Sequence, residues 1–222
     1  MDKLANLYDT ILNGRRGEVE ALVNQALQAG HPAIEIVEKT LRPAMGEVGE
    51  RFSAGVFFLP DLLLAAAAMK NAMNVLRPQL AGNGFSRQEI VVLGTVFGDL
   101  HDIGKNLVAA TLEGVGFRVV DLGIDVPAEK FVAAIREHQP AVVGISALLS
   151  TTMNNIPAVL QANVHAGLRK DLLIAVGGAP ITQRNADEWG VDLYAPDAGT
   201  AARLVSEAVE KRKAHSTGPV VS

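Results

Sequence analysis

Residues 90–106 read IVVLGTVFGDLHDIGKN, and within them Asp99, His101 and Asp102 stand between Gly98 and Gly104. A neutral imidazole offers one nitrogen to a metal while the other donates its N–H to a carboxylate, which fixes the tautomer and raises basicity. Asp99, two residues before His101, is placed to be that carboxylate. Three chemistries are open to such a turn. A phosphate-binding loop needs G-x-x-x-x-G-K-[ST], so that backbone N–H groups cradle phosphate and a hydroxyl holds magnesium. Here Gly98 and Gly104 are one residue too far apart, Asn106 stands where the hydroxyl belongs, and two carboxylates would face the phosphate. A His–Asp pair can also serve only to tie down a loop, since ion pairs are structural as well as functional. The third chemistry is metal ligation. A protein-only zinc site wants three or four protein ligands, and no Cys is present to help. A lone histidine suits a metal that arrives with its other ligands, as in haem or a corrin.

The elements around this turn follow from periodicity. The β-branched run Ile90, Val91, Val92, Leu93 reads as a buried strand, and Lys105 onward is helix-like. The turn therefore lies at the carboxyl end of a strand, where open α/β sheets bind ligands. Downstream the chain alternates helices with four further strands, Phe117–Leu122, Ala141–Ser146, Leu172–Val176 and Asp192–Tyr194. Five parallel strands with right-handed crossovers predict a doubly wound, flavodoxin-like sheet of order 2-1-3-4-5. Its carboxyl edge gathers the His101 turn, the loop after Ser146 and the loop at Gly177-Gly178.

Before residue 80 the pattern is helical throughout. Leu4, Leu7, Tyr8, Ile11 and Leu12 line one face of a first helix that Asn13-Gly14 closes. Val19, Leu22, Val23, Ala26 and Leu27 repeat the spacing. A third helix carries Ile34, Val37, Leu41, Met45 and Val48, with Pro43 as a kink or break, and a fourth runs from Asp61 to Pro78. Four helices with short loops predict an antiparallel bundle. Between the last two lies Phe52-Ser53-Ala54-Gly55-Val56-Phe57-Phe58-Leu59-Pro60. Three Phe and a Leu in a loop either plug the bundle's own end or offer apolar surface to something else.

Composition sets outer bounds. The chain has 222 residues and a formal net charge of −4 with no basic cluster, which argues against nucleic acid or an anionic membrane as partner. There is no signal-peptide pattern at Met1-Asp2-Lys3-Leu4. The longest apolar run, Leu62–Met69, falls short of the roughly 20 residues that span a bilayer. These features predict a cytoplasmic protein. His31, His138, His165 and His215 have no motif neighbours and read as ordinary helix or tail residues.

Asp99-Leu100-His101-Asp102-Ile103-Gly104 resembles the D-x-H-x-x-G motif of B12-binding domains of the methionine synthase type. Gly144-Ile145-Ser146-Ala147-Leu148 is similar to the S-x-L motif of the same family, and Phe52 to Leu59, with Gly49-Glu50-Arg51 before it, looks like its cap region. The match covers nearly the whole chain up to about Lys213. The resemblance implies a four-helix cap over residues 1–80, a linker over 81–87, a cobalamin-binding α/β domain over 88–213 and a disordered tail over 214–222. It implies His101 as lower cobalt ligand, with a relay His101–Asp99–Thr152, although the family more often has Ser at the last position. Asp99, Leu100, Asp102, Ile103, Gly104, Ser146, Leu148, Ser150, Gly177, Gly178, Tyr194, Asp197 and Ala198 would contact the cofactor. Phe52 and Leu59 would shield its upper face, a use that excludes water from a reactive position.

The function so implied is a methyl carrier of three-component methyltransferase systems, holding cobalamin or a related corrinoid as methylcobalamin and cob(I)alamin. Its implied partners are a substrate:corrinoid methyltransferase, a methylcorrinoid:acceptor methyltransferase using tetrahydrofolate or a thiol, and a reductive activase. Such a subunit does no catalysis without those enzymes, and its cap would swing on the 81–87 linker to admit them. A B12-dependent regulator and an adenosylcobalamin mutase subunit are the alternatives. The first helix, though, lacks the basic face a DNA-binding element needs.

Overall fold

A computed structural model describes residues 3–80, 89–170 and 172–216, with side chains described to residue 213. The expected linker at 81–87 and the tail beyond 216 lie outside the described residues. The chain resolves into two compact units, one running to Glu89 together with Leu107–Arg118, the other comprising Ile90–Asn106 with Val119 onward.

The first unit is the helical one. It holds α1 (Lys3–Leu12), α2 (Arg16–Gln28), α3 (Ala33–Ile36), a π-helical turn (Val37–Leu41), α4 (Arg42–Ser53) and α5 (Leu59–Leu80). The predicted third helix is thus α3 and α4 joined through the π turn. Pro43 explains the join: it has no N–H, and its ring clashes with the carbonyl four residues back. The ladder shifts register just before it, and the Arg42 N–H donates to the Val37 carbonyl five residues away. The apolar stripes meet as Leu7, Ile11, Val19, Val23, Ile36, Val48, Leu62, Met69 and Leu76, all fully buried. Gly14 turns the chain at φ +64°, and a Cβ there would lie 2.5 Å from that of Leu64.

A polar bracket ties α1 to α4. Glu47 accepts from the Tyr8 hydroxyl and from the Arg51 guanidinium, and Arg51 lies over the Phe57 ring at 5.1 Å. Burial, and then the bond to Glu47, push Tyr8 up to about 12. Phe58 and Val56 remain 68% and 63% exposed, and Leu59 is exposed as well. The loop therefore does not plug the bundle.

The second unit carries β1 (Ile90–Thr95), β2 (Arg118–Asp121), β3 (Val142–Ser146), β4 (Leu173–Gly177) and β5 (Leu193–Tyr194) in a parallel sheet of order β2-β1-β3-β4-β5. Its helices are α7 (Ala128–His138), α8 (Ile156–His165), α9 (Gln183–Trp189) and α10 (Ala198–Ser216), while α6 (Ile103–Gly114) begins here and from Leu107 on is counted with the first unit. A 3₁₀ turn, Met153–Asn155, precedes α8. The first three tail residues, 214–216, are thus helical, continuing α10. Thr95 registers with Ser146 and Ser146 with Gly177, so three strands end level and their loops emerge side by side.

Packing against β1 is close. Phe131 of α7 is fully buried, and a Cβ on Gly94 would come within 2.7 Å of its ring. Two consequences can be measured by chemical denaturation. Phe131→Ala should cost about 3–5 kcal/mol. Gly94→Ala should cost about 1–3 kcal/mol alone and clearly less in the Phe131→Ala background, because the ring it displaces is gone.

Candidate functional site

The loops leaving β1, β2 and β3 build the site around one carboxylate. Asp99 is 0% exposed. Its Oδ1 accepts from the His101 backbone N–H at 3.1 Å and lies 2.8 Å from His101 Nδ1. Its Oδ2 accepts from the Thr152 hydroxyl at 2.5 Å and from the backbone N–H groups of Leu148 at 2.7 Å and Leu149 at 3.3 Å. Burial by itself would raise this carboxyl, but the bonds from Thr152, Leu148 and His101 outweigh it and hold Asp99 well below the usual carboxylate range. An ionised Asp99 accepts only, so Nδ1 carries the proton and Nε2 is the nitrogen left for a metal. The His101 side chain is 49% exposed, half out of the protein above its buried partner.

The turn itself is held from several sides. The Thr95 hydroxyl donates to the His101 carbonyl at 3.0 Å, and Asn155 Nδ2 donates to the Phe97 carbonyl at 2.8 Å. From the β2–α7 loop, Asp125 accepts from the Gly98 N–H at 2.7 Å and donates its own N–H to the Asp99 carbonyl at 3.0 Å. Sequence reasoning overlooked Thr95, Asp125 and Asn155. The Gly-Ile-Asp-Val-Pro pattern around Asp125 signals only a turn; its aim at another loop has no sequence signature.

Other motif residues have structural duties. Lys105, almost fully buried, pairs with Asp121 at 2.5 Å and donates to Asn106 at 2.7 Å, so it is not a free cation for a phosphate. Asp102 is exposed and accepts from Asn106 at 3.0 Å. Ser146 ends β3, and its carbonyl takes the Val96 N–H. Ser150 is exposed on the same loop, and Leu148 offers Asp99 its backbone rather than its side chain. Gly178 adopts φ +132°, and a Cβ would overlap the Ala147 carbonyl at 1.8 Å; one on Gly177 would press the Ala195 carbonyl at 2.7 Å. The approach those glycines permit is that of the chain to itself. Tyr194 donates to the Ile181 carbonyl at 2.9 Å, Asp197 accepts from Thr200 at the start of α10, and Ala198 is buried. Phe52 in α4 and Leu59 in α5 belong to the first unit.

The segments that build the site carry exposed apolar side chains: Phe97 and Leu100 in the His101 turn, Ile103 at the start of α6, Ile124, and Leu148 and Leu149. Ile103 and Leu100 are 78% and 69% exposed. Among the described residues no three His, Asp or Glu side chains converge to hold a metal. One oriented imidazole inside an apolar rim fits a metal carried in a large apolar ring that supplies the other ligands.

The family described as "B12 binding domain" matches residues 89–205, and a second family of the same description matches residues 4–77. The chain belongs to the B12-binding corrinoid proteins. It is 42% identical over 192 residues to the trimethylamine corrinoid protein of Methanosarcina barkeri, covering 86% of this chain and 88% of that one. A crystallised cobalamin-binding protein from Desulfitobacterium hafniense superposes with TM-score 0.80 at 32% identity, over 92% and 97% of the two chains. The methanol:cobalamin methyltransferase complex of Methanosarcina barkeri gives TM-score 0.75 at 29% identity, over 94% and 80%. The cofactor of this corrinoid protein is cobalamin or a related corrinoid. Among its described residues no helix is long and apolar enough to cross a membrane.

The Asp99 cluster predicts a pH dependence. Its carboxyl is depressed in the folded chain relative to the ordinary value near ~3.9. The stabilisation is therefore complete above that value and is lost as pH falls through the folded one. Asp99→Asn should be less stable than the parent by about 1–3 kcal/mol at pH 7, because an NH₂ then meets N–H donors. Urea titrations at pH 7 and pH 3 should show that gap narrowing with acid.

Proposed function

We propose that this corrinoid protein carries a methyl group between two methyltransferases, with His101 as the lower axial ligand. The observation that carries the reading is the bond between His101 Nδ1 and the buried Asp99 at 2.8 Å, which leaves Nε2 for a metal. A corrinoid bound here supplies a cobalt centre able to accept and release a methyl group. The chain contributes binding, orientation and proton control.

Asp99 stays ionised and fixes the imidazole tautomer, while Thr152 and the Leu148 amide hold the carboxylate in place. When Nε2 is not ligating, it can hold a proton, and the adjacent Asp99 compensates the charge. Thr152 completes the relay with the same hydroxyl chemistry as Ser. The apolar rim of Leu100, Ile103 and Leu148 supplies area for a flat ring, at about 25 cal/mol per Å² buried. The relative named for trimethylamine and the methanol:cobalamin methyltransferase complex support partners of the methyltransferase class. A reductive activase is the third partner of this proposal. Donor choice then lies with the partner that delivers the methyl group.

The test is reconstitution of the full chain with methylcobalamin, parent beside His101→Ala. The parent should show a spectrum with the nucleotide base off cobalt and a histidine on it, and the variant should lose the histidine-bound form. A His101→Ala spectrum identical to the parent's would overturn the ligand assignment.

A further inference from the structure

We propose that Asp125 is a positioning residue for the cobalt ligand, acting through the 97–99 turn to present His101 in one orientation. The proposal rests on the reading of His101 as that ligand.

Asp125 adopts φ +52°, a left-handed conformation that glycine enters freely and a side chain enters only at a cost. Within the same loop Gly123 already supplies a positive φ, at +88°. A turn that needed only the backbone shape would be served by glycine at residue 125 as well. What aspartate adds is a carboxylate, and its Oδ1 accepts from the Gly98 N–H at 2.7 Å. The left-handed backbone also aims the Asp125 N–H at the Asp99 carbonyl at 3.0 Å. One residue thus grips two consecutive positions of the turn, a donor at Gly98 and an acceptor at Asp99.

Next to it, the Val126 N–H donates to the Thr95 carbonyl at 2.9 Å, and Val126 bridges Val96 in parallel register, so Asp125 stands on the sheet rather than on a free loop. Asn155 holds the neighbouring Phe97 carbonyl at 2.8 Å. Gly98, at φ +80°, has the freedom that such holding restrains. The Asp99 side chain can orient the imidazole only as well as its own backbone is fixed, and Asp125 grips that backbone. No contact of Asp125 with the cofactor is required.

The test uses the full chain with three substitutions. Asp125→Gly relieves the backbone cost and removes the carboxylate, Asp125→Ala removes the carboxylate alone, and Asp125→Asn keeps an acceptor in a residue that tolerates positive φ. Without cofactor, amide hydrogen exchange at Gly98 should rise about tenfold in Asp125→Gly and stay near the parent's rate in Asp125→Asn, as expected for loss of one hydrogen bond. Loaded with methylcobalamin, Asp125→Gly should retain the corrinoid yet shift the histidine-on equilibrium toward histidine-off by a similar factor; Asp125→Asn should match the parent. Asp125→Ala carries the same expectation and replaces Asp125→Gly if the latter does not fold. Histidine ligation unchanged in the Gly and Ala variants would overturn the proposal, as would equal loss in Asp125→Asn. A parent spectrum already lacking histidine ligation, unchanged in His101→Ala, would instead overturn the reading of His101.

Discussion

The second unit depends on one buried carboxylate that is fully satisfied. Asp99 has no exposed surface and accepts five donors: two from His101, the amides of Leu148 and Leu149, and the Thr152 hydroxyl. Burying a carboxylate costs several kcal/mol even after relaxation, and each hydrogen bond to a charged acceptor returns about 1.5–3 kcal/mol. With five donors the balance favours the charged form, the direction in which its pKa moves. The consequence reaches beyond stability. A carboxylate that cannot be displaced or protonated near neutral pH holds the imidazole beside it in one tautomer, so Nε2 is the ring nitrogen left without a proton.

The apolar surface carries the complementary constraint. Each unit exposes large side chains in loops: Val56 and Phe58 in the helical one, Leu100 and Ile103 in the α/β one. Exposed apolar residues are ordinary when scattered, but these are gathered on segments that also carry the motif residues. A macrocycle with an apolar rim and one open axial position suits the α/β loops, because a flat ring covers such area without polar partners there. The chain belongs to the B12-binding family, and its cofactor is a corrinoid.

Much of the fold was legible because it is written in periodicity. Alternation predicts a parallel doubly wound sheet, and the observed order β2-β1-β3-β4-β5 is the flavodoxin-like one expected of it. Pro43 marked the break in the third helix, though not its form, since a shift to π bonding depends on how the chain on either side is held. The apolar loop after Phe52 allowed two readings, and only its exposure in the folded chain discards the plug. For Gly177 and Gly178 the sequence suggests close approach, yet which atoms approach is a matter of strand register, and the carbonyls of Ala147 and Ala195 are there. Tyr194 and Asp197 likewise turn out to be engaged with Ile181 and Thr200.

By itself the sequence determined the element types, their order and the local His101–Asp99 pair, because each depends on residues a few positions apart. The tertiary structure decided what surrounds that pair. Thr152 lies 53 residues from Asp99, the Leu148 amide 49, and Asp125 stands 27 residues from Gly98. No periodicity links such positions. Thr152 and Leu148 reach Asp99 because β1 and β3 end level, with Thr95 and Ser146 in register, and Asp125 reaches Gly98 because Val126 bridges Val96 beside it. A buried carboxylate then selects whichever donors that register supplies.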